Sequence, residues 1–268
     1  MIRARVLDVA LMLAVAVPCV AQTPRTPETS PASAGPNHSD WTGYYRIARG
    51  ADLAGFVPEN QDDKFLDIDK TLDAVIEAHL QPWARLRQKQ TYGTAEDNGA
   101  ICQIDGLFRV PIRIGGFMWL PTANKVILVS SHVFRAGARN VFLDRPHPKY
   151  PSPSWLGDAV GHWEGDVLVV DTIGFNERTW LTSSMYPHSE ELHLVERYRM
   201  AAKGLIEVRT TVEDRQVLTS PYTYSRYYKL SGTEVPEFIC NPEPGEQRMW
   251  TEFRQKALKK GILPVPQQ

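Results

Sequence analysis

The sequence carries almost no net charge, few cysteines and little long apolar sequence. Its 268 residues include 30 Lys and Arg and 31 Asp and Glu, a formal net charge of −1, and no long basic run. Nucleic acid is therefore not an expected partner, because binding it requires a basic face to neutralise phosphates. The sequence also lacks a Walker loop, a Rossmann fingerprint, an HExxH pair and a G-x-S-x-G nucleophile elbow.

The composition that remains is that of a globular domain. Hydrophobic residues make up 43% of the chain and charged residues 23%. These values exclude a mostly disordered, collagen-like or multi-span membrane protein. The length suits one large domain or two small ones.

The first 21 residues have the pattern of a cleaved export signal. Arg3 and Arg5 form a short positive region, residues 9–17 are apolar but too few to span a bilayer, and Ala21 ends a cleavage site. We expect a mature chain beginning at Gln22, periplasmic or secreted, with no transmembrane span. An uncleaved N-terminal anchor is the alternative.

Proline and cysteine define the organisation of the mature chain. Residues 22–40 contain four prolines and no large apolar residue, so a disordered leader is predicted before a single domain over residues 41–268. Cleavage removes Cys19 and leaves Cys102 and Cys240. In an oxidising compartment we expect these two to form a disulfide, with two buried free thiols as the alternative.

Hydrophobic spacing predicts a mainly β fold with one helical segment. Near residues 70–90, Leu72, Ile76 and Leu80 recur at helical spacing, and Pro82 should kink or split the helix. After residue 99 the period changes to two, with turn residues between the apolar runs. This pattern favours an antiparallel lipocalin-like barrel or a half-open cup.

One segment carries a resemblance to known proteins. Residues 161–172 read GHWEGDVLVVDT, after an Arg-Pro-His-Pro loop at 145–148 and before LHLVER at 192–197. Over roughly residues 100–240 this order resembles a large family of exported bacterial proteins. The resemblance implies export and cysteines at the positions of Cys102 and Cys240, but no general activity. His162 stands where the family has another basic residue, and Ala159 where it has serine.

The centre of that segment also indicates a local structure. In Trp163-Glu164-Gly165-Asp166, glycine supplies a positive φ and aspartate supports a tight hairpin turn. Similar turns occur in fatty-acid-binding and lipocalin-like barrels. Glu164 and Asp166 are therefore interpreted as structural.

Three histidines and one carboxylate form the candidate active site. His147 lies between two stiffening prolines and His188 in another loop, while strand alternation puts Glu196 on an apolar inner face and His193 on the outer face. We predict His147 as general acid or base, Glu196 as its buried partner and His188 as a second base or substrate contact. His193 is the candidate ligand for a single divalent metal, with no cofactor as the alternative.

Four further residues are candidate substrate contacts: Tyr198, Arg226, Tyr228 and Trp155. Arg226 and Tyr228 share a strand face, and inside a barrel they can hold a carboxylate or phenolate. Outward tyrosines packed on another layer are the alternative. Trp155 can stack on a sugar or aromatic ring, although tryptophan most often belongs to the core.

These residues predict an enzyme with a small-molecule substrate. The hypothesis is an acid–base lyase, isomerase or hydrolase acting on a small aromatic or sugar-derived substrate in the barrel. A non-catalytic periplasmic carrier of a small hydrophobic or carboxylate ligand is the alternative, and an envelope interaction module is a third. The enzyme requires His147, His188 and Glu196 to converge in one pocket.

Overall fold

A computed structural model describes residues 41–56, 70–94, 103–104, 106–107, 116–130, 137–232 and 234–235, with 252, 255–256 and 259. The export signal at 1–21, the leader at 22–40, Cys102 and Cys240 lie outside the described residues. The expectations for cleavage, the leader and the disulfide therefore stay predictions.

The described residues form nine strands that close into a barrel. The strands are β1 (Gly43–Ile47), β2 (Gly116–Pro121), β3 (Lys125–Ser130), β4 (Ala138–Phe142), β5 (Asp158–Glu164), β6 (Val167–Ile173), β7 (His193–Ala202), β8 (Leu205–Glu213) and β9 (Tyr222–Gly232). Each strand pairs with the next in the chain, and β9 pairs with β1 to close the barrel. The predicted mainly β barrel is confirmed.

One pair of strands departs from the antiparallel prediction. β4 and β5 run parallel, with Val141 opposite Ala159. A parallel pair needs a long connection to bring the chain back, and residues 143–157 supply it. That connection also carries His147 and Trp155.

Two helices occupy the region where one helical segment was expected. They are α1 (Lys70–His79) and α2 (Pro82–Thr91), and a short 3-10 turn covers Gly50–Leu53. The break falls at Pro82 because proline has no N–H to donate and is favoured at the first position of a new helix. No helix in the described ranges is long and apolar enough to cross a membrane.

The hairpin between β5 and β6 has the glycine-dependent geometry predicted for it. Gly165 has φ +63°, and Asp166 has no positive φ. A positive φ at the first central residue alone is typical of a type II′ turn. A Cβ at Gly165 would meet no atom within 4 Å, so backbone conformation and not space selects glycine here.

The barrel interior is layered along its axis. One apolar cluster contains α1 residues with Leu194, Val212 and Tyr224, and another contains Tyr198, Val208 and Tyr228 among aromatic neighbours. Between these inward positions lie buried polar side chains, which we call the polar layer: Arg139, Thr172, Glu196, Thr210 and Arg226. Side chains alternate between the two faces along β7, β8 and β9, and this places Glu196, Thr210 and Arg226 between residues of the two apolar clusters.

Candidate functional site

The polar layer is organised around a buried ion pair. Arg139 of β4 donates through Nη2 to Glu196 of β7 and to the Thr172 hydroxyl at 2.6 Å. The Tyr198 hydroxyl donates to the second Glu196 oxygen at 2.9 Å. The Arg139 and Glu196 side chains are only 5% and 9% exposed. Both carboxylate oxygens thus have protein donors, and Glu196 faces the interior as predicted.

The tyrosines around this pair stay protonated. Burial, reinforced by the negative charge of Glu196, raises the pKa of Tyr198 well above its usual range. Burial also raises the pKa of Tyr228. The neutral Tyr198 phenol donates its proton to Glu196, and the Tyr228 hydroxyl oxygen accepts a hydrogen bond from Arg226, so both phenols belong to the interior network.

A cavity of about 40 Å³ lies beside the ion pair. Its polar lining consists of Glu196, Tyr198, Thr210, Tyr224, Arg226 and Tyr228, and its apolar lining of Leu107, Phe117, Leu194 and Val208. One water requires about 10–15 Å³ of such space. The cavity therefore suits a few waters or one molecule with few heavy atoms.

Arg226 is the incompletely paired charge of this cavity. The residue is only 7% exposed, and its guanidinium lies over the Tyr224 ring at 4.8 Å. Its Nη2 has no hydrogen-bond partner among the described residues. A buried charged donor without a partner is costly, so this atom marks a place where a ligand can be stabilised.

The structure brings together four of the residues that the sequence singled out. Glu196, Tyr198, Arg226 and Tyr228 all line the cavity. Trp155 is not part of this lining, and its predicted role as a contact in the barrel is corrected. The reason is its place in the connection between β4 and β5, where it is half-buried.

His147 takes part in a different network, on the outer face of the sheet. Its Nδ1 lies 2.7 Å from Asp158 and its Nε2 lies 2.8 Å from Asp171. Asp171 also contacts His193 Nε2 at 2.9 Å, and His193 Nδ1 lies 3.3 Å from Glu213. With Arg145, these residues form what we call the outer network.

Strand alternation separates the outer network from the cavity. Asp171 is on β6 between the inward positions 170 and 172, and Val170 pairs with Glu196 across the sheet. The same alternation points His193 outward, as the sequence predicted. His147 bonds to outward carboxylates, so the expected pairing of His147 with Glu196 in one pocket is wrong.

Charge compensation governs the outer network. Burial alone would raise the pKa of Asp171, but hydrogen bonds from His193 and His147 outweigh it and lower that pKa. The pKa of His193 is raised mainly by its hydrogen bond to Asp171. Arg145 adds bonds of 3.1 and 2.5 Å to Asp158. Each acid here has a basic partner.

His188 also lies away from the cavity lining. Its Nδ1 donates to the Ser189 carbonyl at 3.1 Å, and its Nε2 accepts from the Thr179 hydroxyl at 2.6 Å. Burial lowers the pKa of His188, which matches a neutral ring with the proton on Nδ1. His188 therefore bonds within its own loop and not with Glu196, and the predicted convergence is wrong here too.

The described residues contain no cluster of metal ligands around His193. Both nitrogens of His193 are engaged with carboxylates. Within the described residues, no group of three or more His, Cys, Asp or Glu has an arrangement that could hold a metal ion. The single divalent metal stays a prediction.

Sequence reasoning missed Arg139, Asp158 and Asp171. Asp171 was within reach, since alternation along residues 167–173 places it outward like His193. Arg139 was not, because β4 has only 5 residues and its ARNVF sequence shows no apolar alternation. Its partnership with Glu196, 57 residues away, is a tertiary contact without a local signal.

Comparison with known proteins adds no argument about this chain's fold or ligand. No protein-family model matches the chain, and no curated protein matches it. Among solved structures, a mutant of the fluorescent protein UnaG is similar at 11% identity, with 52% of this chain and 88% of that chain covered and a TM-score of 0.28. A likeness this slight carries no argument about a ligand, and the barrel is defined here by its own strand pairing.

Proposed function

We propose that this protein is a non-catalytic carrier that holds a small molecule inside its barrel, in the periplasm or outside the cell. The observation that carries the proposal is the buried cavity in the polar layer, where Tyr198, Arg226 and Tyr228 converge. Ligand sites in proteins combine an apolar wall with a few directed polar groups, and this cavity has both. The export part of the proposal rests on the pattern of residues 1–21.

The carrier is favoured over the enzyme by the positions of the histidines. Acid–base catalysis requires the proton-transfer groups to reach one substrate atom directly or through a water. His147 bonds to Asp158 and Asp171 on the outer face, and His188 bonds to Thr179. Glu196 is occupied by Arg139 and Tyr198, so it serves to fix the interior.

A cavity-filling variant tests the carrier. Val208 lines the cavity, and Val208→Phe should fill it. Native mass spectrometry of the purified full chain should detect a bound small molecule in the wild type and little in this variant. Val195→Phe adds the same bulk on the outer face of β7 and should retain the ligand. Equal ligand content in wild type and Val208→Phe, with both folded by circular dichroism, would remove the interior site.

A further inference from the structure

The barrel interior carries one more positive charge than negative charge among the residues of the polar layer. Arg139 and Glu196 neutralise each other through their ion pair, which leaves Arg226. A guanidinium keeps its positive charge in a protein, so the free-energy cost of burying the Arg226 charge is not removed by loss of a proton. One negative charge beside Arg226 would balance the layer.

The buried groups without partners also point to an acceptor. Among the described residues, Arg226 Nη2, Arg139 Nε and Trp119 Nε1 are buried nitrogens with no hydrogen-bond partner. Each is an N–H donor with no capacity to accept. Trp119 and Arg139 both adjoin Tyr198, which lines the cavity. Of the three, only Arg226 lines the cavity, and a ligand that carries an acceptor can satisfy its Nη2, whereas an ammonium group cannot.

We infer that the ligand is a small organic monocarboxylate whose oxygens accept hydrogen bonds from Arg226. This inference rests on the proposed carrier function and names the chemical class of its ligand. The phenols of Tyr224 and Tyr228 assist as neutral neighbours, since burial raises the pKa of each and keeps a competing negative charge out of the cavity. Glu196 does not repel the ligand strongly, because its charge is already held by Arg139.

The dimensions of the cavity limit the rest of the ligand. Its volume of about 40 Å³ admits a carboxylate with a very short alkyl group and no ring. Phe117 and Val208 form apolar wall against which that alkyl group can pack. Formate, acetate and propionate are therefore suitable probes.

The charge of the ligand is tested by comparing acetate with acetamide, which have nearly the same shape. Thermal unfolding of the full chain at pH 7 and constant ionic strength should show a saturable rise in Tm with acetate, because a ligand of the native state stabilises by mass action. Acetamide should give no saturable rise. Arg226→Gln should weaken acetate binding by at least about tenfold, the effect of losing one charge-assisted hydrogen bond.

Two further variants keep the test decisive. Arg197→Gln removes the same charge from the outer face and should bind acetate as the wild type does. Val208→Phe should block acetate, and unchanged acetate binding in it would place the anion elsewhere and overturn the inference. Equal binding of acetate and acetamide, or acetate binding unaffected by Arg226→Gln, would overturn the anion class while leaving the carrier intact. Failure of both probes, together with equal ligand content in wild type and Val208→Phe, would overturn the carrier itself.

If Arg226→Gln proves unfolded, the comparison of acetate with acetamide on the wild type decides alone. We expect it to fold, because no ion pair joins Arg226 to a carboxylate of the described residues, so its removal leaves none of those carboxylates unpaired.

Discussion

Two polar networks lie on opposite faces of the same sheet, and they differ in how completely their groups are paired. β6 contributes Asp171 to the outer network and Thr172 to the polar layer, and β7 contributes His193 outward and Glu196 inward. Outside, each carboxylate that bonds a histidine remains partly solvated, as Asp171 does at 39% exposure. Inside, the ion pair is buried, and Nη2 of the neighbouring Arg226 has no hydrogen-bond partner among the described residues.

The difference indicates separate roles for the two faces. The outer network joins β5, β6, β7, β8 and the connection carrying His147 by bonds that need no additional molecule. It is suited to holding the β4–β5 connection against the barrel. The inner network has a donor, Arg226 Nη2, that none of the described residues bonds, and it belongs to the lining of a cavity where a ligand or water can bond it. The histidines suggest a functional site in the sequence, but the ligand site proposed here is centred on the incompletely paired Arg226.

The largest effect that tests this difference between the two networks is expected from removing the buried charge of Glu196. Glu196→Gln leaves Arg139 buried without its anion, and breaking a buried ion pair in this way costs about 3–5 kcal/mol. Urea unfolding should show that loss with an unchanged m-value. A loss below about 1 kcal/mol would mean that water or another anion already compensates Arg139.

Two control variants distinguish the effect of breaking the buried ion pair from the effect of removing a carboxylate charge anywhere in the protein. Glu164→Gln breaks the exposed pair with Arg197 and should hardly move the urea midpoint. The double variant Arg139→Met with Glu196→Met removes both charges and should recover most of the stability lost in Glu196→Gln, because apolar replacement of a buried pair is often neutral. No recovery would show that the pair itself, and not the unpaired charge, determines stability.

An intermediate effect is expected from the outer network. Asp171→Asn removes the charge between two imidazoles and should cost about 1 kcal/mol at pH 6, a value reduced for partial solvent exposure. The loss should be smaller at pH 8, where less positive charge remains on His193. Asp166→Asn makes the same change in the β5–β6 turn and should show no such pH dependence. An Asp171→Asn loss that is identical at both pH values would rule out the charge-based account of this network.

Long strands made one part of the site predictable. Residues 192–200 alternate over enough positions to show that Glu196 faces inward and His193 outward, and the structure agrees. The same periodicity in β9 places Arg226 and Tyr228 on one face, but it leaves open whether that face is inner or outer, and the structure turns it toward the cavity. The barrel itself was predictable for this reason, since several alternating strands without intervening helices must bury one face of a sheet.

Loops and short strands made the other part unpredictable. His147 and His188 lie outside strands, where no periodicity says which way a side chain points. Stiff prolines beside His147 indicated that it is held in place, which is correct, but not which residues hold it. Arg139 lies on a strand too short to show a pattern, and the choice of Glu196 as its partner depends on closure of the barrel.

The smallest effect concerns the pH dependence that His193 gives to stability. Its pKa is raised in the folded protein, mainly by the hydrogen bond to Asp171 with help from Glu213. A group of this kind stabilises fully below its unfolded pKa of about 6.5, and the contribution disappears as pH rises through the folded pKa. His188 has the opposite sign, because burial lowers its pKa and its contribution disappears as pH falls through that lowered value.

Between pH 6 and 9 the free energy of unfolding of the wild type therefore contains opposing contributions from His193 and His188. A variant of each histidine is needed to separate them. The difference in unfolding free energy between wild type and His193→Gln should be largest near pH 6, at about 0.5–1 kcal/mol for a partly solvated pair. It should shrink toward pH 9. His188→Asn keeps a donor for the Ser189 carbonyl and should give a difference that changes with pH in the opposite direction. Asp158 and Asp171 do not contribute to the pH dependence between pH 6 and 9, because the pKa of each is lowered and both titrate below this range. A His193→Gln difference that grows with pH would mean that His193 is neutral at pH 6, and the outer network would then be held by dipolar hydrogen bonds and not by charge.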